Sequence, residues 1–236
     1  MVKLLRTPRG YAKVAESLIY SRKPEFVIIG TGRSGTTYFS ELLTASGLSC
    51  SHEGYYTVKG PTLYNTRRQP DAQCDASWLA VPFLPDDEVT AVHVVRDPFA
   101  VIRSLFSCHF FDLEHLEQAT DAVTRVRAKF TRFAQKHFEF TGDPLRDSMR
   151  WYSDWNTRCE AITDKRVVIE RVDQQLSDLS EWFDVDCEKA YRIVSQSANA
   201  RPVRLLDPDE ELQRKLANYP EYPELVKVAE RYGYAV

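Results

Sequence analysis

Residues 30–37 read Gly-Thr-Gly-Arg-Ser-Gly-Thr-Thr and follow the apolar run Phe26 to Ile29. Glycines let a backbone turn tightly, so that several amide groups face one point. The two threonines then open a stretch with helical spacing, and the positive end of a helix attracts an anion. The chemistry that this segment favours is therefore phosphate binding.

The loop departs from the usual nucleoside-triphosphate loop in the place of its cation. That loop reads G-x-x-x-x-G-K-[ST], and Gly30 and Gly35 have its spacing. Thr36 occupies the lysine position, however, and the cation lies inside the loop at Arg33. We therefore expect a phosphate-containing ligand other than a triphosphate.

A second group of residues suited to an anion follows the apolar run 90–95. Arg96 stands where that run ends, and Ser104 comes eight residues later. A guanidinium at a strand end and a hydroxyl in the first turns of the next helix can both bind phosphate. The alternative for Arg96 and Asp97 is a local salt bridge or a helix cap, since Asp97 precedes Pro98 as an N-cap precedes a first helical proline.

The elements that must position these residues alternate along the chain. Strands are predicted at 26–29, 90–95 and 166–169, and helices at 1–24, 36–45, 100–106, 113–140, 148–162, 176–183 and 210–234. Residues 54–88 are predicted to be mostly loop. Strands separated by helices indicate a parallel sheet, whose ligands bind at the carboxyl ends of the strands. The expected fold is α/β, a single-domain P-loop-like parallel sheet flanked by helices and spanning 1–236.

Composition limits the classes of function. A chain of 236 residues suffices for one α/β domain, and its net charge of -3 gives no general attraction to nucleic acid or to an acidic membrane. The five cysteines contain no C-x-x-C pair, which indicates neither a zinc site nor a disulfide framework. No apolar run approaches the roughly 18 residues that a membrane helix needs. We expect a cytoplasmic enzyme without a nucleic-acid or membrane partner.

The two anion-binding segments together resemble the sulfotransferase family. Gly32 to Thr37 resembles the loop that binds 5′-phosphosulfate in these enzymes, and Val95 to Leu105 resembles their 3′-phosphate segment, in the same order. The resemblance implies an enzyme that uses 3′-phosphoadenosine-5′-phosphosulfate (PAPS) as sulfuryl donor and leaves 3′,5′-adenosine bisphosphate (PAP) as product. The arginine at position 33 is similar to the carbohydrate and protein-tyrosine branches, whereas cytosolic small-molecule members have lysine.

The resemblance also implies a role for each ligand. Arg96 and Ser104 would hold the 3′-phosphate, and Arg33 would stabilise charge on the departing 5′-phosphate. The 5′-phosphosulfate would be held by the loop and the helix start, through Gly32, Arg33, Ser34, Gly35, Thr36 and Thr37. A sulfuryl group carries less negative charge than a transferring phosphoryl group, so a fixed arginine and backbone dipoles can stabilise the transition state. We therefore expect no required metal.

Transfer to a hydroxyl also needs a base to take the acceptor proton. His52 and Glu53 follow the loop helix and a short apolar turn. The spacing from Arg33 to Glu53 resembles that of the catalytic glutamate in protein-tyrosine sulfotransferases, so Glu53 is the favoured base and His52 the second candidate. The alternative for either residue is a strand-end polar group that pairs with Arg67, Arg68 or a helix terminus.

Further along the chain the resemblance is carried by fewer residues. Residues 197–201 resemble a late segment that helps to hold the nucleotide, which makes Arg201 a candidate cofactor ligand, and a solvated surface arginine is the alternative. Residues 168–173 stand where many relatives have an Arg-Tyr-Glu-Asp-like run, but they lack its aromatic residue. No ligand role follows for them.

The remaining segments, 54–88 and 107–145, are the predicted acceptor side. Their aromatic side chains suit either an apolar or sugar-stacking cleft or an ordinary core, so the acceptor is expected to be a small-molecule, carbohydrate or peptide hydroxyl. Two other functions stay open. One is a small-molecule or nucleotide kinase on a related scaffold, and the other is a non-catalytic nucleotide-binding module.

Overall fold

The computed structural model describes residues 23–61, 72–86, 89–118, 120–194 and 209–235. Its main sheet has five parallel strands in the order β2-β5-β1-β6-β7. The strands are β1 (Phe26–Gly30), β2 (Cys50–His52), β5 (Cys74–Ala76), β6 (Thr90–Val95) and β7 (Arg166–Val168). A separate antiparallel pair joins β3 (Tyr56–Thr57) to β4 (Gly60–Pro61).

Helices precede and follow the strands of the main sheet. They are α1 (Thr36–Ala45), α2 (Pro98–Ser107), α3 (Leu113–Gln118), α4 (Ala122–Gln135), α5 (Pro144–Ile162), α6 (Leu176–Phe183), α7 (Cys187–Tyr191), α8 (Asp209–Leu216) and α9 (Tyr222–Arg231). Two 3₁₀ segments, Trp78–Asp86 and Ile169–Gln175, complete the described elements. The predicted α/β class and the parallel sheet flanked by helices are thereby confirmed.

The apolar strands and the first helix agree closely with their predicted bounds. The strands at 26–29, 90–95 and 166–169 and the helix at 36–45 are confirmed to within one residue. Asp97 is the N-cap of α2, and its carboxylate accepts from the amide of Ala100 at 2.8 Å. The predicted lead-in helix lies almost wholly outside the described residues.

The prediction that residues 54–88 form mostly loop is wrong for the described parts of this segment, 54–61 and 72–86. This segment contains the short pair β3 and β4, the 3₁₀ segment Trp78–Asp86, and strand β5, which lies between β1 and β2. Strand β5 has the sequence Cys-Asp-Ala, without a β-branched residue. Its strand conformation comes from pairing with two neighbours, because local propensity does not favour it.

The described chain divides into two compact units. One unit comprises 23–29, 36–61, 72–86, 89–92 and 173–194, and the other comprises 30–35, 93–118, 120–172 and 209–235. In the first unit, α1 packs on β2, β5 and α7. In the second unit, α5 packs against α2 and α9, and its Trp151 and Trp155 are fully buried and stacked at 4.1 Å.

Among residues 23–61, 72–86, 89–118, 120–194 and 209–235, no helix combines the length and the apolar character needed to cross a bilayer.

Candidate functional site

The glycine-rich loop after β1 is shaped by two glycines. Gly30 ends the strand, and a Cβ atom there would collide with the carbonyl oxygen of Val94. Gly35 has a φ of +106°, and a Cβ atom there would collide with Cδ1 of Ile169. The spacing of Gly30 and Gly35 therefore reflects close packing of the loop as well as its turn.

Three residues predicted to bind phosphate meet at this loop. Arg33 donates from Nε to Oγ of Ser104 at 2.7 Å, and its carbonyl oxygen accepts from Nη1 of Arg96 at 3.1 Å. All three side chains are half-buried. We call Arg33, Arg96 and Ser104 the arginine cluster.

Arg33 adopts a backbone conformation that is unusual for its type. Its φ is +80°, in the left-handed region that non-glycine residues rarely occupy. Such strain costs on the order of 1–3 kcal/mol and persists where surrounding contacts hold it, often at functional sites. Here the contacts to Ser104 and Arg96 hold the residue in place.

The peptide bond between Arg96 and Asp97 is anchored by other parts of the second unit. The carbonyl of Arg96 accepts from the hydroxyl of Tyr152 on α5 at 2.9 Å. The amide of Asp97 donates to Glu170 at 3.0 Å, and the other oxygen of Glu170 accepts from Tyr234 at 2.6 Å. Burial raises the pKa of Tyr152 and of Tyr234, so both hydroxyls keep their protons. The backbone that carries the side chain of Arg96 is therefore fixed on its C-terminal side.

Arg96 and Asp97 were expected either to include a phosphate ligand or to form a local salt bridge or helix cap. Its carboxylate caps α2, and the guanidinium of Arg96 binds the loop carbonyl. Burial raises the pKa of Asp97, Glu170 raises it further, and the amide of Ala100 opposes the shift. The capping alternative thus holds for Asp97, while Arg96 has a contact of its own with the loop.

Ser34 occupies a different position from the other loop side chains. Its amide donates to the carbonyl of Thr31 at 3.1 Å, and its hydroxyl is fully buried. Among the described residues this hydroxyl has no hydrogen-bond partner. A direct contact between Ser34 and a ligand would require the loop to open.

The start of α1, in the first unit, brings together two threonines and a histidine. Nε2 of His52 forms hydrogen bonds with Oγ1 of Thr36 at 3.2 Å and Oγ1 of Thr37 at 3.1 Å. Thr36 is 5% exposed, and His52, at the end of β2, is exposed. The helix-terminus alternative for His52 is therefore compatible with its contacts.

Glu53 lies in a turn that a buried carboxylate organises. Its φ is +52°, and its amide donates to the carbonyl of Ala76 at 3.2 Å. Asp75 is fully buried, and its oxygens accept from the hydroxyl of Ser51 at 2.6 Å and the amides of Gly54, Tyr55 and Tyr56 at 2.9, 3.3 and 2.9 Å. Burial raises the pKa of Asp75, and these four hydrogen bonds oppose the shift. Asp75 therefore fixes the backbone that carries Glu53.

The sequence did not reveal three of these supporting residues. Asp75, Tyr152 and Glu170 act through buried or backbone-directed hydrogen bonds that have no motif. Only Asp75 gave a signal in the sequence. An acid among small apolar residues is expected to be buried, and a buried carboxylate requires hydrogen-bond donors around it. Arg201, Arg67 and Arg68 lie outside the described residues.

Several aromatic residues of the predicted acceptor segments belong to the core. Phe110, Phe111 and Phe138 are at most 7% exposed and pack around Trp151. An open groove of about 510 Å³ lies against α5, near His137 and Phe138. Its other lining residues are mostly charged or polar and include Arg150, Asp154 and Arg158.

No protein-family model, curated protein or solved structure matches this chain. The resemblance of its two motifs to sulfotransferases therefore stays a prediction from the residues themselves.

Proposed function

We propose that the chain is a sulfotransferase with a P-loop-like sheet, which moves a sulfuryl group from PAPS to an acceptor hydroxyl. The observation that carries the proposal is the arginine cluster. Two guanidinium groups and a serine hydroxyl meet at a glycine-rich turn, and the arginine inside that turn keeps a strained backbone. A structural salt bridge elsewhere on the surface would not require such strain.

The donor set of the cluster fits an anion with more than one phosphate. Arg96 and Ser104 would hold the 3′-phosphate, and Arg33 would bind the oxygens of the 5′ group. Ser104 accepts a hydrogen bond from Arg33, which leaves its own proton to donate to a phosphate oxygen. Guanidinium-to-phosphate contacts are among the stronger hydrogen bonds in proteins.

Thr36 and Thr37 continue the same loop along the chain and would add two hydroxyls to the 5′ end of the donor. When bound, PAPS supplies a sulfuryl group activated by its phosphate leaving group. Arg33 would stabilise the charge that grows on that leaving oxygen, because a fixed cation needs no reorganisation during the reaction. Stabilisation of the leaving oxygen is thus assigned to the side chain of Arg33 alone among the loop side chains.

Glu53 is the proposed base, and it would take the proton of the acceptor hydroxyl in an in-line displacement. The hydrogen bonds of Asp75 to the neighbouring amides hold the turn that carries it. His52 is the second candidate, since its Nε2 lies 3.1–3.2 Å from the hydroxyls of Thr36 and Thr37. If Glu53 is the base, His52 orients those hydroxyls.

Transfer of labelled sulfuryl from PAPS to a panel of sugar, phenol and tyrosine-peptide acceptors tests the function. Glu53→Gln should remove turnover and leave PAP binding intact, while His52→Asn should weaken both. Glu41→Gln is the matched control, because Glu41 is an exposed acid on α1. Full turnover in Glu53→Gln would overturn the base assignment, and acceptor phosphorylation from ATP would favour the kinase alternative.

We also propose that the enzyme works in the cytoplasm on a small-molecule, carbohydrate or peptide hydroxyl. Four of the five cysteines, Cys50, Cys74, Cys159 and Cys187, are buried as thiols. Thiols in this state suit a reducing compartment.

A further inference from the structure

Two histidines and an aspartate come together between α2 and α3. His109 lies two residues after the end of α2, Asp112 precedes α3, and His115 belongs to α3. One ring nitrogen of each histidine and one carboxylate oxygen of Asp112 all lie within 4.8 Å of one another. These three residues form the His-Asp-His cluster.

One distance in the cluster matches the spacing of two donors on a small tetrahedral ion. Two donors at about 2.0–2.1 Å from a tetrahedral zinc ion stand about 3.4 Å apart. Nδ1 of His109 lies 3.4 Å from Oδ2 of Asp112. The ring of His115 stacks on that of His109 with centroids 3.8 Å apart. The nitrogen lone pairs of two stacked rings do not converge on one ion, so the exposed side chain of His115 would turn to complete a set of three ligands.

The carboxylate of Asp112 divides its two oxygens between two tasks. Oδ1 accepts from the amide of His115 at 3.0 Å and so caps the start of α3. Oδ2 faces His109. A metal ion at Oδ2 would therefore leave the helix cap intact.

The backbone around the cluster is held before any ion binds. The amide of Asp112 donates to the carbonyl of His109 at 3.1 Å, and His109 has a left-handed φ of +53°. Phe110, Phe111 and Leu116 are at most 7% exposed, and they anchor the turn between the ligands. A turn that is already fixed loses less conformational freedom on binding, which favours affinity.

We propose that His109, Asp112 and His115 bind a zinc ion, with water completing the coordination shell. Two imidazoles and one carboxylate suit zinc and its neighbours in the first transition row, whereas magnesium and calcium prefer oxygen ligands alone. The ion ties the end of α2, the helix that carries Ser104, to α3. This site shares no residue with the arginine cluster, and it contains no cysteine pair whose spacing would have marked it in the sequence.

Calorimetric titration of chelator-treated protein with zinc chloride tests the site. We expect one ion per chain with a micromolar dissociation constant. His115→Ala removes an exposed ligand, and Asp112→Asn keeps an oxygen for the cap while removing the charge. Loss of an outer-shell partner of a metal site weakens binding by about 10- to 100-fold. Because these two residues are direct ligands, each substitution should weaken zinc binding by at least that much.

Two control variants test whether zinc binding depends on the three proposed ligands in particular. His137→Ala removes a half-buried histidine outside the cluster, and Cys108→Ser removes the neighbouring thiol. Both should bind zinc as the wild type does, and zinc should raise the unfolding temperature of the wild type and both controls but not of His115→Ala. Unchanged zinc affinity in His115→Ala and Asp112→Asn, or loss of binding in Cys108→Ser, would overturn the proposal.

Discussion

Nε of Arg33 donates a hydrogen bond to Oγ of Ser104 at 2.7 Å, although 71 residues separate them in the chain. The contact joins the glycine-rich loop to the first turns of α2. Each residue was predicted to bind phosphate for a separate reason, one from the loop and the other from the strand end. Their contact shows that the two motifs lie next to each other in the second unit.

Arg33→Gly should separate stability from function. Glycine accepts the φ of +80° without strain, which offsets the lost hydrogen bond to Ser104. We expect the free energy of unfolding to change by less than about 1 kcal/mol, while sulfuryl transfer falls by about 100-fold or more, the usual effect of removing a transition-state donor. Chemical denaturation and turnover of labelled PAPS measure the two effects. Retained turnover would exclude Arg33 from the reaction.

Tyr152→Phe should loosen Arg96 without removing it. The hydroxyl of Tyr152 donates to the carbonyl of Arg96, and its loss should cost about 1 kcal/mol of stability. We expect PAP to bind several-fold more weakly because the backbone of Arg96 is less constrained. Calorimetry measures the affinity. Tyr38→Phe in α1 is the control, and equal losses of affinity in the two variants would contradict this role.

Asp75→Asn should destabilise the turn that carries Glu53. The new amide nitrogen cannot accept from backbone amides, so buried donors lose their partner. We expect a loss of about 2–4 kcal/mol in the free energy of unfolding, measured by denaturant titration. Ser51→Ala removes a single donor to Asp75 and should cost about 1 kcal/mol. Equal effects of the two variants would argue against this role for Asp75.

His93 should make the protein less stable in acid. It is fully buried, Nε2 pairs with Oδ1 of Asn156 at 2.9 Å, and burial lowers its pKa to about 4. The unfolded chain, with a histidine pKa of about 6.5, binds more protons between these values. Stability is therefore full above about pH 6.5 and falls as the pH drops toward 4, by about 3 kcal/mol.

Denaturation of wild type and His93→Gln across pH 4 to 7 checks this sign, because glutamine keeps a donor for Asn156 and does not titrate. The pH dependence should be weaker in the variant by about 3 kcal/mol over this window. His137→Gln is the matched control, since burial also lowers the pKa of His137 but that side chain is only half-buried. An unchanged slope in His93→Gln would contradict a buried neutral His93.

Local patterns were enough to predict the elements that carry the arginine cluster. Strands β1 and β6 are continuous apolar runs, and helix α1 has its apolar residues on one face. Asp97 with Pro98 marks the start of α2. Strand β5 was missed because its conformation depends on pairing with β1 and β2. The sequence also could not reveal that Glu170 binds the amide of Asp97, since a contact across 73 residues has no local signal.

We propose above that the arginine cluster binds the two phosphate groups of a PAPS-type nucleotide. Calorimetric titration with PAP, and in parallel with ATP plus magnesium, tests it most directly. We predict that PAP binds the wild type more tightly than ATP does, that Arg96→Ala weakens PAP binding by about 1.5–3 kcal/mol, and that Lys129→Ala, which removes an exposed cation from α4, has no effect. Tight binding of ATP without binding of PAP, or equal PAP affinity in Arg96→Ala and wild type, would contradict the claim.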